Sequence, residues 1–437
     1  MSAFEDLVAE LAPRTFKRSG KIWTIFLIVV VIIGVIAYAD QVIRGQVVTN
    51  MRDYVLWGVY ISNFVFFVAI SFVGSLFAAI LRLTHKTWRT PLVRIAESIA
   101  FAAIIMAGIT IILDMGRPDR LLNVFLYPRL QSPIAWDIII ITTYIVISFL
   151  ILYIPLLPDL TILKNHFKDQ PRLSKLYGMF SLGWSGSEKQ WAILRKSIQI
   201  VAVLIIPVAL ILQTVDAWLF ATTYRVGWDS TNFGPYFVAG AFVVGTGGLI
   251  SVMYVIRKSY GLEKYIKDIH FDKLGQLLGL ACLIYLYFNI NEYLLPAFTA
   301  PKAETEHIIE LFFGHYSSMF WFVIIGGLIL PVLFLVFPKG RKPFPLFLIS
   351  IVVVITSWWK RYLIVVPSLL HPFLPIQGVP ESWHSYFPSL HEWAIVSGTL
   401  AMALLIITYY VRFLPVIPIN RTAKELKLAG HDESEQI

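Results

Sequence analysis

Ten apolar blocks, each longer than ~18 residues and almost free of charge, run through the 437-residue chain at roughly 22–42, 56–82, 94–115, 134–157, 197–222, 235–257, 274–298, 317–337, 345–367 and 390–412. An α-helix rises 1.5 Å per residue, so ~20 apolar residues cross the ~30 Å of hydrocarbon in a bilayer. Most blocks are apolar all round rather than along one stripe, as expected of helices embedded in lipid. Little is left to make a water-facing surface: 57% of residues are apolar and 14% charged, against about 25% charged in a soluble chain. The sequence is that of an all-α polytopic membrane protein with about ten transmembrane helices. It excludes a soluble enzyme and a nucleic-acid binder, despite the net charge of +9.

The positive charge carries topology instead. Of the 36 Lys and Arg residues, 27 fall on the side of the N-terminus, 7 on the opposite side, and Lys360 and Arg361 lie within the ninth block. Positive charge concentrates on the cytoplasmic side of membrane proteins, so both termini are expected there, in a multi-pass protein of the cytoplasmic (inner) membrane. The first block follows Lys17, Arg18 and Lys21 without a small-residue cleavage site, and is read as a retained helix rather than a signal peptide. The chain divides into a cytoplasmic N-terminus (1–21), a ten-helix membrane domain (22–415) and a cytoplasmic tail (416–437) whose polar stretch from Asn420 is expected to be loose. The longest loop, 158–196, contains Trp184-Ser-Gly-Ser-Glu-Lys-Gln-Trp191, either a surface helix or partner contact or a plain interfacial tryptophan anchor.

An ionisable side chain at the centre of a span costs ~2.5–3.5 kcal/mol or more, so each such residue is a candidate for function. They gather in the half of the spans away from the termini: Asp40, Asn63, Asp114, Asp137, Asp216, Glu292 beside Asn289 and Asn291, Lys360, Arg361, His391 and Glu392. The terminal half offers Glu97, Gln199, Gln276 and scattered hydroxyls. Asp40, Asp114 and Glu392 lie close enough to helix ends to serve as caps, and Asp137 opens its helix where an acid suits the positive helix end. Lys360 and Arg361 could snorkel toward headgroups or take Asp216 and Glu292 as buried partners.

The nine histidines all fall in loops or at helix ends, so no pair on facing helices would ligate a haem. The one cysteine, Cys282, rules out a disulfide framework or a thiolate cluster site made by this chain alone. There is no phosphate-cradling glycine loop and no metal-ligand spacing. The chain is expected to hold no haem, iron–sulphur cluster or metal of its own. It would either move a solute or bind a membrane-soluble substrate whose electrons leave through another subunit.

Several segments resemble a known family. Met115-Gly-Arg-Pro-Asp-Arg120 followed by Ser132-Pro-Ile-Ala-Trp-Asp137 is similar to the signature of the NrfD/PsrC (polysulphide reductase membrane subunit) family. Gln213-Thr-Val-Asp-Ala-Trp218 resembles the end of its fifth helix, where many relatives carry a histidine in place of Gln213. Gly227-Trp-Asp-Ser-Thr-Asn-Phe-Gly-Pro-Tyr-Phe237 and Trp359-Lys-Arg-Tyr-Leu-Ile-Val-Val-Pro-Ser368 resemble later segments, with Lys360 replacing the usual acid. Ten-span members include the membrane subunits of alternative complex III and of the Hmc, Qrc and Dsr/Hme complexes of sulphur-metabolising prokaryotes.

The resemblance implies two four-helix bundles with flanking helices and a quinone site, menaquinone being the expected ligand, in the outer part of the first bundle. It implies an extracytoplasmic ferredoxin-like iron–sulphur partner, with a c-type cytochrome and other membrane subunits alongside. The expected function is exchange of electrons and protons between menaquinol or quinone and that partner. Asp137 would be the leading acid/base, with Asp114 or Asp216 second. Asn63 and Trp136 would contact the headgroup, and the apolar surface of the second to fourth helices would take the isoprenoid tail. Arg117 and Arg120 would hold the partner. The alternatives are a proton pathway through Asp216, Glu292, Lys360 and Arg361, or a secondary transporter with sites at Pro207 and Gly245-Thr-Gly-Gly248.

Overall fold

The computed structural model describes residues 3–13, 17–83, 90–299, 301–374 and 376–426. Among these residues, ten helices are long and apolar enough to span a membrane: α1 (Arg18–Arg44), α2 (Val59–Leu83), α3 (Thr90–Asp114), α4 (Pro133–His166), α5 (Glu188–Ala221), α6 (Phe233–Tyr260), α7 (Asp268–Thr299), α8 (Ser317–Val336), α9 (Pro343–Leu370) and α10 (Leu390–Phe413). Local chemistry sets their starts. Pro133 and Pro343 stand in the first turns of α4 and α9, where a missing N–H costs nothing. Ser187 caps α5, and Ser389 with Glu392 forms a reciprocal capping box on α10.

Helices α2 to α5 pack in a ring, α2 on α3, α3 on α4, α4 on α5 and α5 on α2; helices α6 to α9 form a second ring in the same way. The two bundles meet where α2 packs on α6 and α9, and α5 on α6. Helices α1 and α10 pair with each other, and α10 packs against α3. Gly34 and Gly398 make the α1–α10 contact close. A Cβ on Gly34 would stand 2.9 Å from the Gly398 Cα, so only two residues without side chains let the backbones approach this far.

Burial separates helices that the sequence makes look alike. In α2, which touches helices of both bundles and α10, 83% of the apolar window is buried, against 22% in α1. The apolar surface of α2 therefore faces mainly protein, so within the expected helices two to four the surface left for an isoprenoid tail is that of α3 and α4, whose windows are 67% and 33% buried.

The first and last described helices gather on one side. The helix Ala3–Leu11 buries Leu7, Val8 and Leu11 and packs against the helix Ile419–Glu425 and the end of α4. Beneath them lies buried charge that the sequence pattern does not reveal. Arg94 Nη1 meets Asp159 Oδ2 at 2.7 Å, the two side chains being 3% and 1% exposed. Asp159 also accepts the main-chain N–H groups of Ile419 (3.1 Å) and Asn420 (2.9 Å). Arg82 pairs with Glu97 at 2.7 Å. The start of the tail is thus a docked helix and not a loose segment; residues 427–437 lie outside the described ones.

Candidate functional site

Two buried carboxylates that act on each other electrostatically lie inside the first bundle, near the ends of α4 and α5 away from the termini. Asp137 lies four residues after Pro133, ~6 Å along α4, and Asp216 five residues before Ala221, ~8 Å from the end of α5. Three residues separate Gln213 from Asp216, placing both on one face of α5, and both are fully buried; Asp137 is 3% exposed. The two acids interact electrostatically. Among the described residues, Asp137 Oδ1, both Asp216 carboxylate oxygens and both amide atoms of Gln213 have no hydrogen-bond partner. Each buried orphan costs about 1–3 kcal/mol, and groups of this kind in a native fold call for a functional explanation.

The adjacent cations of α9 reach two different clusters, because neighbouring residues on a helix point about 100° apart. Arg361 interacts electrostatically with Asp216 and stacks over Phe237 of α6 at 5.2 Å. Room for it comes from Gly240, where a Cβ would lie 2.8 Å from Arg361 Nη2 and 2.9 Å from the Tyr285 ring. Its Nε and Nη1 are buried without a partner. Lys360 Nζ instead donates to the Tyr293 hydroxyl at 2.7 Å and lies over the rings of Tyr293 and Phe320. Glu292 is held by Ser230, whose hydroxyl reaches Oε2 at 2.8 Å and Oε1 at 3.0 Å. Lys360 and Glu292 interact electrostatically. Among the described residues, neither cation closes to an ion pair with Asp216 or Glu292. The sequence places Lys360 at about the depth of Asp216, but α9 continues to Leu370, so Lys360 lies ~15 Å from the helix end.

The other expected site residues lie elsewhere. Asn63 is occupied: its Nδ2 donates to Thr399 of α10 at 2.9 Å, and its Oδ1 accepts from Trp358 at 3.3 Å. Asp114 ends α3, where its main-chain oxygen accepts from Gln46 at 2.9 Å and its carboxylate interacts with Glu392, not with Asp137. Glu392 itself is fully buried, holding Tyr386, Asn50 and its own helix cap. Trp136 donates from Nε1 to the Leu130 carbonyl at 2.5 Å, tying down the loop before α4. Arg117 forks onto Asp119 in the exposed loop, a bond that holds the Asp119 carboxyl below its ordinary range. Arg120 is exposed in the same loop.

The structure thus puts Asp137 and Arg361 within electrostatic reach of Asp216, and Lys360 within that of Glu292. Gln213 joins the acid pair as an orphaned amide; its three-residue spacing from Asp216 was the available signal. Tyr285 and Tyr293 were not foreseen, because their role depends on how α7 meets α6 and α9. Pro207 and Gly245–Gly248 lie in uninterrupted helices, and Gly245 is pressed against Val73, unlike the broken helices of transporter sites. Among the described residues, no three His, Cys, Asp or Glu side chains come together as metal ligands.

With this geometry in place, comparison with known proteins gives a consistent result. The sequence profile described as "Polysulphide reductase, NrfD" matches residues 47–372. A Halobacterium salinarum protein, provisionally assigned as a membrane subunit of dimethyl sulfoxide reductase, is 27% identical over 426 residues, covering 92% of this chain and 93% of the relative. The integral membrane subunit of menaquinone reductase from Nitratidesulfovibrio vulgaris is 22% identical over 435 residues, 94% of this chain and 96% of the relative. An Hdr-like menaquinol oxidoreductase integral membrane subunit from Archaeoglobus fulgidus is also 22% identical, over 95% of this chain and 99% of its own length.

Proposed function

The chain belongs to the polysulphide reductase NrfD family, and from that premise we propose that it is the quinone-interacting membrane subunit of a multi-subunit redox complex. The observation that carries the proposal is the buried Asp137–Asp216 pair with its unpartnered oxygens. A hydroquinone has two hydroxyl donors, and these two buried carboxylates supply acceptors for them. Oxidation of the hydroquinone to quinone releases two electrons and two protons. The carboxylates take the protons and pass them to the near surface, only ~6–8 Å away along α4 and α5. The electrons leave to an iron–sulphur cluster of a partner subunit docked on the same face, over the Arg117–Arg120 loop. A c-type cytochrome subunit is a further electron carrier in this scheme, and quinone reduction is the same sequence reversed. By the charge bias of the loops this face is extracytoplasmic, and menaquinone is the favoured quinone because two relatives are named for it.

A second reading, proton passage through the second bundle, draws on one observation. Lys360 and Arg361 are neighbours on α9 and link the acid pair to the Glu292–Tyr293 cluster.

The test of the main reading uses the assembled complex in membranes. Asp137→Asn and Asp216→Asn should each abolish reduction of the partner by a menaquinol analogue while leaving subunit assembly intact. Undiminished turnover in both would overturn the assignment.

A further inference from the structure

Beyond its apolar stretch α4 runs on to His166, and the helix Pro171–Phe180 folds back along this extension. Two tyrosines fix its lower end. Tyr153, ~30 Å along α4 from Pro133, donates to the Phe180 carbonyl at 2.6 Å. Tyr177 donates to the carbonyl of Phe413, the last residue of α10, at 3.0 Å. The hydrocarbon of a bilayer is ~30 Å thick, so Phe180 lies at its boundary and Pro171 points away from it. Leu173 and Tyr177 lie on the protein side, Tyr177 stacking on Phe167. Arg172, Lys175, Leu176 and Met179 are exposed and, at positions i, i+3, i+4 and i+7, form one stripe.

A helix lying flat on a membrane sorts charged and apolar residues onto opposite faces. This one sorts them along its axis, with cations at the far end and apolar side chains at the bilayer end, where Met179 is 63% exposed. A third cation joins them. Ser174 Oγ donates to the Lys164 carbonyl at 3.1 Å, and the Lys164 side chain lies across Gly178, where a Cβ would stand 3.4 Å from its Cε and 3.9 Å from its Nζ. Lys175 is three residues from Gly178, ~4.5 Å along the axis. Among the described residues, Lys164, Arg172 and Lys175 have no ion pair. Asp169, the one acid between Leu160 and Ser187, lies beyond the far end of the helix.

We propose that this stripe binds one anionic phospholipid of the leaflet on the terminal side, its phosphate between Lys164 and Lys175 and an acyl chain along Leu176 and Met179. Charge selects the headgroup. Two uncompensated ammonium groups favour a net negative one, and the cation of a choline headgroup finds no acid at this depth. Depth selects a lipid over a protein. A soluble partner would have to push through the headgroups to cover Met179, where acyl chains already lie. None of these residues takes part in the proposed function, so the two stand or fall separately.

The experiment is native mass spectrometry of the full-length chain in detergent, titrated with phosphatidylglycerol or phosphatidylcholine. The tightest phosphatidylglycerol adduct is expected to bind about tenfold more strongly than phosphatidylcholine. The double variant Lys164→Gln, Lys175→Gln should lose that tenfold, equivalent to ~1.4 kcal/mol. Lys339→Gln with Lys342→Gln, exposed in the loop between α8 and α9 on the same side, should leave it unchanged. In the assembled complex in membranes, a photoreactive benzoylphenylalanine in place of Met179 should become attached to phospholipid.

Equal binding of the two lipids would overturn the proposal. So would an equal loss in the Lys339 and Lys342 variant, which would show diffuse attraction to a basic surface. Displacement of the adduct by millimolar glycerol 1-phosphate would show a site for soluble phosphates instead. Attachment of the Met179 probe to another subunit would show that a protein covers the stripe, and would also overturn it.

Discussion

At the terminal side, Arg94 and Asp159 close to 2.7 Å, and Asp159 spends its remaining acceptor capacity on the N–H groups of Ile419 and Asn420. At the opposite side, Asp137, Asp216 and Arg361 are equally buried, yet several of their polar atoms meet nothing. The residue types are the same and the completeness differs. A closed network returns part of its desolvation cost in hydrogen bonds, and its work is to fasten the tail helix to the bundle. An open one keeps that cost, which natural folds retain where chemistry requires a group to be available.

Breaking the closed network should have the largest effect on folding. Asp159→Ala leaves Arg94 buried without its acid and orphans two backbone donors. It should destabilise the detergent-solubilised protein by ~3–5 kcal/mol and expose the helix Ile419–Glu425 to protease, read by thermal unfolding and limited proteolysis. Asp216→Asn should do the reverse, with turnover of the complex falling about a hundredfold, the scale of a lost acid/base group. Its unfolding free energy should stay within ~1 kcal/mol, because no hydrogen bond is broken. If Asp216→Asn unfolded the protein as Asp159→Ala does, the contrast between the two clusters would collapse.

A finer probe leaves all charges in place. Gly240→Ala puts a methyl group within 3 Å of Arg361 and Tyr285. It should shift the guanidinium, cost about 1 kcal/mol of overpacking and lower turnover a few-fold with assembly unchanged. At neutral pH the smallest effect is expected from His307, whose ring lies buried on the helix Lys302–Phe312 at the open side. Burial, and then the neighbouring His371, push its pKa down from 6.5 to about 3. Between those values the unfolded chain binds a proton that the folded one refuses, so stability should fall as pH drops through that window. His307→Leu should flatten the slope of melting temperature between pH 7 and pH 4.

The spans and the charge asymmetry were legible because both are properties of single segments: length, hydropathy and the sign of the loops. So was the list of polar residues around Asp137 and Asp216. Their grouping was not, because it depends on which helices become neighbours. Asn63 and Asp137 look equivalent in sequence, yet Asn63 is consumed by Thr399 and Trp358 while Asp137 keeps an unpartnered oxygen and acts electrostatically on Asp216. Arg94 was invisible as a buried partner for a related reason. In sequence it is one more cation of a basic loop, and only the extension of α4 to His166 brings Asp159 against it. Helices α1 and α2 have similar mean hydropathy, 2.8 and 2.6, yet differ most in surroundings, 22% against 83% buried, since apolar on all sides describes a helix in lipid and a helix in a protein core alike.

The meeting of Gly34 with Gly398 has a consequence for how the protein is made. The residues that lock α1 to α10 are separated by about 360 positions of chain, and α1 buries only Thr24, Leu27, Gly34 and Gln41. Of these ten spans α1 is made before the other nine, and it therefore waits in the bilayer, largely unaccompanied, while eight of them are inserted and form their two rings. Only the last span completes its packing. Any chain cut short before that point leaves α1 without its main partner, a defect that membrane quality control can detect.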